Sequence, residues 1–312
     1  MVNEPRFNSL IEMEQSKWLA DIKEKLTNDI WPAECVRCKQ REDIGEGSMR
    51  TMSNDNNEQL SKVNENYLIV DVIIDTICNA ACQICSSKVS STYAKTFDIA
   101  VNKFKGLPIL QQLPADRIVQ LDILGGEPGA SKKAKQFMST LVYQYPNLQT
   151  VRINSNGSII IPEVQSLLDK GVTVDLCFSM DGTTKVFEYC RWPIKWNTFL
   201  STLTYYANLR NKYLNLIVST WSSFSAFSIA DLPYIIIATQ DLNVPHGGAG
   251  ITFPAVIAIQ RTNFLTLAAK QILSGTPLAQ LIATDVNDNS AELTAFIKRN
   301  DAARGINIAD YL

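Results

Sequence analysis

Short runs of apolar and β-branched residues recur along the chain at 67–75, 117–124, 150–154, 172–179 and 214–220, each closed by Gly, Asn, Asp or Ser. Runs of this length and make-up predict buried strands. Between them the pattern relaxes to a helical spacing over 87–104, 131–145, 162–170, 196–210 and 229–239. Strands alternating with helices predict a parallel sheet, because a parallel pair needs a crossover and the crossover is usually a helix. The unbroken apolar character of the strands predicts a sheet covered on both faces. In such sheets ligand chemistry gathers at the carboxyl ends of the strands.

Three regions follow from the same pattern. Residues 1–66 form a polar, strand-poor leader that includes the asparagine-rich segment 53–57. Residues 67–240 carry the strand–helix alternation. From 241 to 312 the pattern weakens into Ala- and Leu-rich stretches, which predict a mostly helical C-terminal extension. There is no internal repeat of the solenoid kind.

Composition narrows the function classes. The 312 residues are 46% hydrophobic and 19% charged, which suits one large α/β domain with appendages or two modest domains. With 29 Lys and Arg against 31 Asp and Glu, the formal net charge of −2 gives no electrostatic reason to expect nucleic acid or an anionic membrane as partner. A small-molecule or peptide substrate is the better default. No apolar run reaches the roughly 18–20 residues of a membrane span; the most apolar segments, such as 232–238 and 251–259, are too short. The polar N-terminus lacks the apolar core of a signal peptide, so a cytoplasmic setting is expected. The seven cysteines are clustered, and in a reducing compartment clustering argues for metal or redox chemistry before disulfides.

The polar residues worth noting fall after predicted strands: Cys78, Cys82 and Cys85 after the first, Gly125-Gly126-Glu127 after the second, Asn154-Ser155-Asn156-Gly157 after the third, Ser179-Met180-Asp181-Gly182 after the fourth, and Ser219-Thr220 after the fifth. Three thiols within eight residues can wrap one side of a compact inorganic cluster. A structural zinc site wants four ligands, usually as two separated pairs, and a disulfide leaves one thiol over. A cubane iron–sulfur cluster held by three cysteines keeps one iron without a protein ligand, where a chelating substrate can bind.

The Cys-x3-Cys-x2-Cys spacing, with Ile84 before the last cysteine, resembles the signature of the radical S-adenosylmethionine (SAM) enzymes. The resemblance extends to Gly125-Gly126-Glu127-Pro128 and to Ser179-Met180-Asp181-Gly182. It implies a partial (β/α)6 TIM-like barrel of parallel strands. It also implies a [4Fe-4S] cluster on Cys78, Cys82 and Cys85 whose open iron chelates SAM. Electron transfer from the reduced cluster then cleaves the sulfonium, and the resulting 5′-deoxyadenosyl radical takes a hydrogen atom from the substrate. A low-potential electron donor such as flavodoxin or ferredoxin belongs to the same implication. Carried over position by position, Gly125 and Gly126 would let backbone approach the methionyl ammonium, and Glu127 would stabilise it. Ser155, Asn156, Ser179 and Asp181 would face the ribose, and Arg191 the SAM carboxylate.

The outer segments are less specific. Trp31-Pro32-Ala33-Glu34-Cys35 with Cys38, the stretch 187–196, and Asp301, Arg304 and Gly305 resemble a radical SAM subgroup carrying a "twitch" extension, although no cysteine follows Cys190 to hold an auxiliary cluster there. Two thiols two residues apart form half of a common metal site. Cys35 and Cys38 are therefore candidate ligands of a second metal centre, iron–sulfur or zinc, with a redox pair or two unmodified thiols as alternatives. Cys177 and Cys190 read as buried small apolar residues. His246, the only histidine, reads as a loop residue outside the site. Trp192, Trp196 and Trp221 read as core aromatics or pocket walls. Two other function classes stay open: a non-catalytic iron–sulfur protein for electron transfer or sensing, and a zinc-binding interaction module.

Overall fold

The computed structural model describes residues 7, 9–43, 45, 47–48, 50–51, 67–101, 106–250 and 290–311. The segments 53–57 and 251–259, and the last three residues of the helix expected over 87–104, lie outside them. The described elements in order are α1 (Leu10–Glu14), α2 (Lys17–Thr27), α3 (Val36–Asp43), β1 (Leu68–Ile73), α4 (Ser91–Thr96), α5 (Gly106–Leu110), β2 (Ile118–Leu124), α6 (Lys132–Gln144), β3 (Thr150–Ser155), α7 (Pro162–Asp169), β4 (Thr173–Ser179), α8 (Thr184–Cys190), α9 (Trp196–Leu209), β5 (Leu216–Phe224), α10 (Leu232–Asp241), β6 (His246–Gly250) and α11 (Ser290–Arg304). Among the described helices none is long and apolar enough to cross a membrane.

The chain divides into two compact units, one of residues 1–68 with 108–117 and one of 69–107 with 118–312. The first holds α1 to α3. The first two helices start on side-chain caps that the sequence announces: Ser9 accepts from the Glu12 amide in a Ser-x-x-Glu arrangement, and Ser16 accepts from the Leu19 amide. Arg117 pairs with Glu14 at 2.8 Å, and the Trp18 indole donates to Glu34 at 3.2 Å. The described part of the leader is thus largely helical, where its polar composition had given no element at all.

The second unit is a six-stranded sheet in the order β1-β2-β3-β4-β5-β6, with parallel pairing from β2 through β6. Sequential order with a helix in most crossovers is the arrangement of a partial (β/α)6 barrel. Side chains alternate across a strand, and one set is fully buried: Leu121 and Ile123, Val151 and Ile153, Val174, Leu176 and Phe178, Leu216 and Val218. Helices cover that face. In α6, capped by Ser131, Ala134, Phe137, Met138 and Leu141 sit at helical spacing and are buried. In α9, Phe199, Leu203 and Tyr206 do the same, and Phe199 meets Phe178 and Phe187 with ring centroids 6.3 and 4.5 Å apart.

The other face is not covered in the same way, which corrects the expectation of a sheet buried on both sides. It carries Asp122, Arg152 and Asp175 in register on three neighbouring strands, with Arg152 donating to Asp175 at 3.0 Å. Farther along, Ile217 and Trp221 of β5 are 50% and 44% exposed. An open face is what a barrel interior that admits ligand requires. Two boundaries also move. β5 runs on to Phe224, so Ser219 and Thr220 lie mid-strand and Ser223 is the residue near its carboxyl end. His246 opens β6 rather than a loop, pairing with Thr220 both in register and through Nδ1 to Oγ1 at 2.9 Å. Gly247 and Gly248 of β6 read as loop with His246 because glycine is a poor strand former; here a Cβ on them would sit 2.7 Å from the Trp221 ring and 2.5 Å from that of Phe224.

Candidate functional site

At the carboxyl ends of β1 to β5 the second unit encloses a cavity of about 350 Å³, within the usual range for small-molecule sites. Cys78, Cys82, Ile84, Cys85, Gly125, Gly126, Glu127, Ser155, Asn156, Ser179 and Arg191 all line it. These residues come from loops far apart in sequence. Asp181 is the one SAM-site candidate that stays off the wall. Leu124, Asn154 and Ser223 join the lining from the inward-facing side of their strands. Asn154 stood in the polar group that closes the third predicted strand; Ser223 was hidden by ending β5 too early.

The cysteine loop is fixed by its backbone. Cys78 is held through Ser91, whose hydroxyl accepts from its amide at 3.1 Å, and Thr92, whose hydroxyl donates to its carbonyl at 2.6 Å. The buried Ser90 hydroxyl donates to Ala80 O at 2.6 Å while capping α4 through the Tyr93 amide. On the far side, the amides of Ala81 and Gln83 donate at 2.8 Å to the carbonyls of Trp192 and Cys190. The stretch 187–196 therefore acts as a brace for the cysteine loop, and Trp196 packs on Phe199 instead of walling the cavity.

The Gly125-Gly126-Glu127 turn packs on the same loop. A Cβ on Gly125, which has φ of 116°, would lie 2.5 Å from Asp75 O, and one on Gly126 would lie 2.0 Å from Ile77 O. The glycines are thus needed by the chain's own packing, a reason independent of any ligand. The Glu127 amide donates to Ile77 O at 2.7 Å. Its side chain, 1% exposed, accepts from the Asn156 amide at 2.6 Å, Ser155 Oγ at 3.0 Å and the Gly129 amide at 3.2 Å. Burial raises the carboxyl to about 7, against the lowering effect of those donors. Asn156 in turn donates from Nδ2 to Asn79 Oδ1 at 2.8 Å, and lies 3.8 Å from Cys78 Sγ.

Arg191 and Asp181 form a buried ion pair, with Nη2 and Oδ2 2.5 Å apart as a charge contact without an aligned hydrogen bond. Asp181 also accepts from the Ser223 amide at 2.8 Å, which holds it behind the cavity wall. Thus anchored, Arg191 turns Nη1 toward Cys82 Sγ at 3.7 Å. Removing either partner of such a pair costs about 3–5 kcal/mol, because the other is left buried and charged.

Burial pushes the Cys78 thiol up to about 11 and the Cys85 thiol to about 12, with the charge of Cys82 adding to both. Burial also raises Cys82, against the opposing charge of Arg191. These are sheltered thiols whose protons a bound metal has to displace. Among the described residues, no three His, Cys, Asp or Glu side chains gather closely enough to hold one metal ion. A cubane makes a different demand, since each cysteine takes a separate iron. Cys35 and Cys38 lie in the first unit, Cys35 ending a 3-10 turn and Cys38 in the first turn of α3; both are half-buried and free. Cys177 sits on the inward face of β4, and Cys190 is fully enclosed.

No protein-family model matches the chain, and neither does any curated protein sequence. Among solved structures it is similar to SuiB of Streptococcus suis bound to S-adenosylmethionine, at 12% identity and a TM-score of 0.46, over 85% of this chain and 58% of that one. The same protein bound to its precursor peptide SuiA gives 13% identity and a TM-score of 0.47, over 85% of this chain and 56% of that one. A radical SAM methyltransferase from Sphaerobacter thermophilus gives 13% and 0.42, over 78% and 66%. The chain thus spans less than two thirds of the length of SuiB. At such TM-scores the likeness assigns nothing by itself, and the residues of the cavity carry the functional reading.

Proposed function

We propose that the chain is a radical SAM enzyme acting on a peptide or small molecule, with Cys78, Cys82 and Cys85 holding a [4Fe-4S] cluster and the rest of the cavity wall receiving SAM. When bound, the cluster supplies the electron that cleaves the SAM sulfonium into methionine and a 5′-deoxyadenosyl radical. The observation that carries this reading is the convergence of three motifs on one cavity. Three thiols and a buried carboxylate on a glycine turn, from beyond the ends of β1 and β2, share one wall with a buried arginine that follows α8.

Each residue has a separate task. The braced loop presents the thiols without further rearrangement of its backbone. Glu127, held by Ser155 and Asn156, offers negative charge to an ammonium group, and a cation beside it would draw its carboxyl back toward the ionised form. Arg191 supplies a fixed positive charge to a carboxylate while Asp181 keeps it oriented. Asn154, Ser179 and Ser223 add hydrogen-bonding groups on the inward side. The half-open inner face beyond them, with Ile217 and Trp221, offers room for the substrate. Buried reduced thiols also suit the cytoplasm.

The test is metal and sulfide content after oxygen-free reconstitution. Roughly four irons per chain are expected in the unmutated protein and in the Cys35→Ala, Cys38→Ala double variant, and loss of nearly all of it in Cys82→Ala. Full iron in Cys82→Ala overturns the assignment. Iron or zinc that falls only in the double variant marks Cys35 and Cys38 as a second metal centre.

A further inference from the structure

The C-terminal helix α11 is docked by apolar contacts that need no charge. Phe296 packs in a cluster with Tyr189, Cys190 and Phe227, and Leu293, Ile297, Ile306 and Ile308 extend it. Yet the same helix sends Arg304 inward until 6% of it is exposed. Its Nη2 donates to Ala81 O, the carbonyl next to Cys82, at 2.6 Å. Its Nε and Nη1 are buried without an acceptor. The guanidinium lies 5.8 Å from the Phe97 ring centre and 6.0 Å from that of Trp192.

An enclosed guanidinium without a counter-ion is expensive. The neighbouring carboxylate does not supply one: Asp301, three residues earlier, accepts from the Tyr189 hydroxyl at 3.1 Å and the Ile308 amide at 2.7 Å. Among the described residues Arg304 has no carboxylate partner; burial pulls its guanidinium below the usual range, against the opposing effect of Cys82. Arg191, the other cation beside Cys82, already shares its charge with Asp181. Arg304 does not line the cavity, so it reaches the cysteine loop from behind and leaves the ligand space free.

We propose that Arg304 is the counter-charge of the cysteine loop, a positioning residue that holds the loop through Ala81 and stabilises the negative charge that a thiolate-bound cluster places there. This rests on the cluster reading. A fixed positive charge in a low-dielectric interior favours the more negative, reduced form of a cluster. Arg304 therefore raises the midpoint potential, and the C-terminal helix sets how readily an external donor delivers the electron.

The experiment is a dithionite titration of the reconstituted protein with mediators, followed by the electron spin resonance of the reduced cluster. Three chains are compared: unmutated, Arg304→Gln and Arg304→Lys. The expected result for Arg304→Gln is an at least tenfold lower equilibrium constant for reduction, about 59 mV for a one-electron couple, together with faster iron loss on gel filtration. Arg304→Lys, which keeps the charge, recovers most of the potential. If Arg304→Gln does not fold, Arg304→Met, which keeps an apolar stem against Phe97 and Trp192, goes through the same titration. A cluster of unchanged potential in the neutral variant, or a lysine variant shifted as far as the glutamine one, overturns the inference alone. No iron–sulfur signal in the unmutated chain overturns the cluster reading and the inference together.

Discussion

Glu127 is where residue chemistry and fold stability meet. Its carboxyl, at about 7 in the folded chain against 4.5 ordinarily, binds more protons folded than unfolded between those pH values. Stability therefore falls as pH rises through that window, and the penalty is complete above about 7. A rise of that size corresponds to something on the order of 3 kcal/mol. Urea unfolding of the metal-free protein at pH 5 and pH 8 is expected to show this loss in the unmutated chain and its absence in Glu127→Gln. Equal pH dependence in both would mean that Glu127 is solvated. Comparing slopes sets aside the separate cost of pointing an amide at the donors of Asn156 and Gly129. SAM added at pH 8 is expected to restore part of the lost stability in the unmutated chain only.

The cysteine loop shows what a single element junction contributes. Ser90 is fully buried and serves both sides of it, capping α4 and donating to Ala80 O. Ser90→Ala loses both bonds and leaves a buried carbonyl without its partner, at a cost of about 1–3 kcal/mol. The measurable consequences are a lower Tm and a larger fraction of Cys78, Cys82 and Cys85 reacting with a thiol reagent. A variant with unchanged Tm and unchanged reactivity would show that α8 and its following turn hold the loop alone. Such bracing was not legible in the sequence. The stretch 187–196 stood out as aromatic and by its resemblance to a subgroup, not as a brace, because backbone bonds such as Ala81 N to Trp192 O leave no side-chain signal. The helices of the leader were legible in principle from Ser9-x-x-Glu12 but were masked by its polar composition.

For the molecule as a whole, the β1 to β5 core was written in the pattern, since five strands stand close to where their apolar runs predict. The cavity was legible as well: strand-end motifs chosen one by one converge on it, because a parallel sheet delivers all its carboxyl ends to one side. What the pattern concealed depended on contacts between distant residues. β6 is glycine-rich because Trp221 and Phe224 occupy the space, and Asp181 faces Arg191 instead of the cavity because both are buried together. Arg304 was visible only as part of a terminal motif, and its meaning comes from a carbonyl more than two hundred residues away. The central claim is that this converged cavity cleaves SAM. Its most direct measurement is the amount of 5′-deoxyadenosine formed without oxygen from SAM and dithionite by the reconstituted chain, beside a variant with Cys78, Cys82 and Cys85 all changed to Ala. The account predicts 5′-deoxyadenosine and methionine in equal amounts from the unmutated chain and none above background from the variant. An iron-loaded unmutated chain that forms no 5′-deoxyadenosine, or a variant that still forms it, would contradict the account.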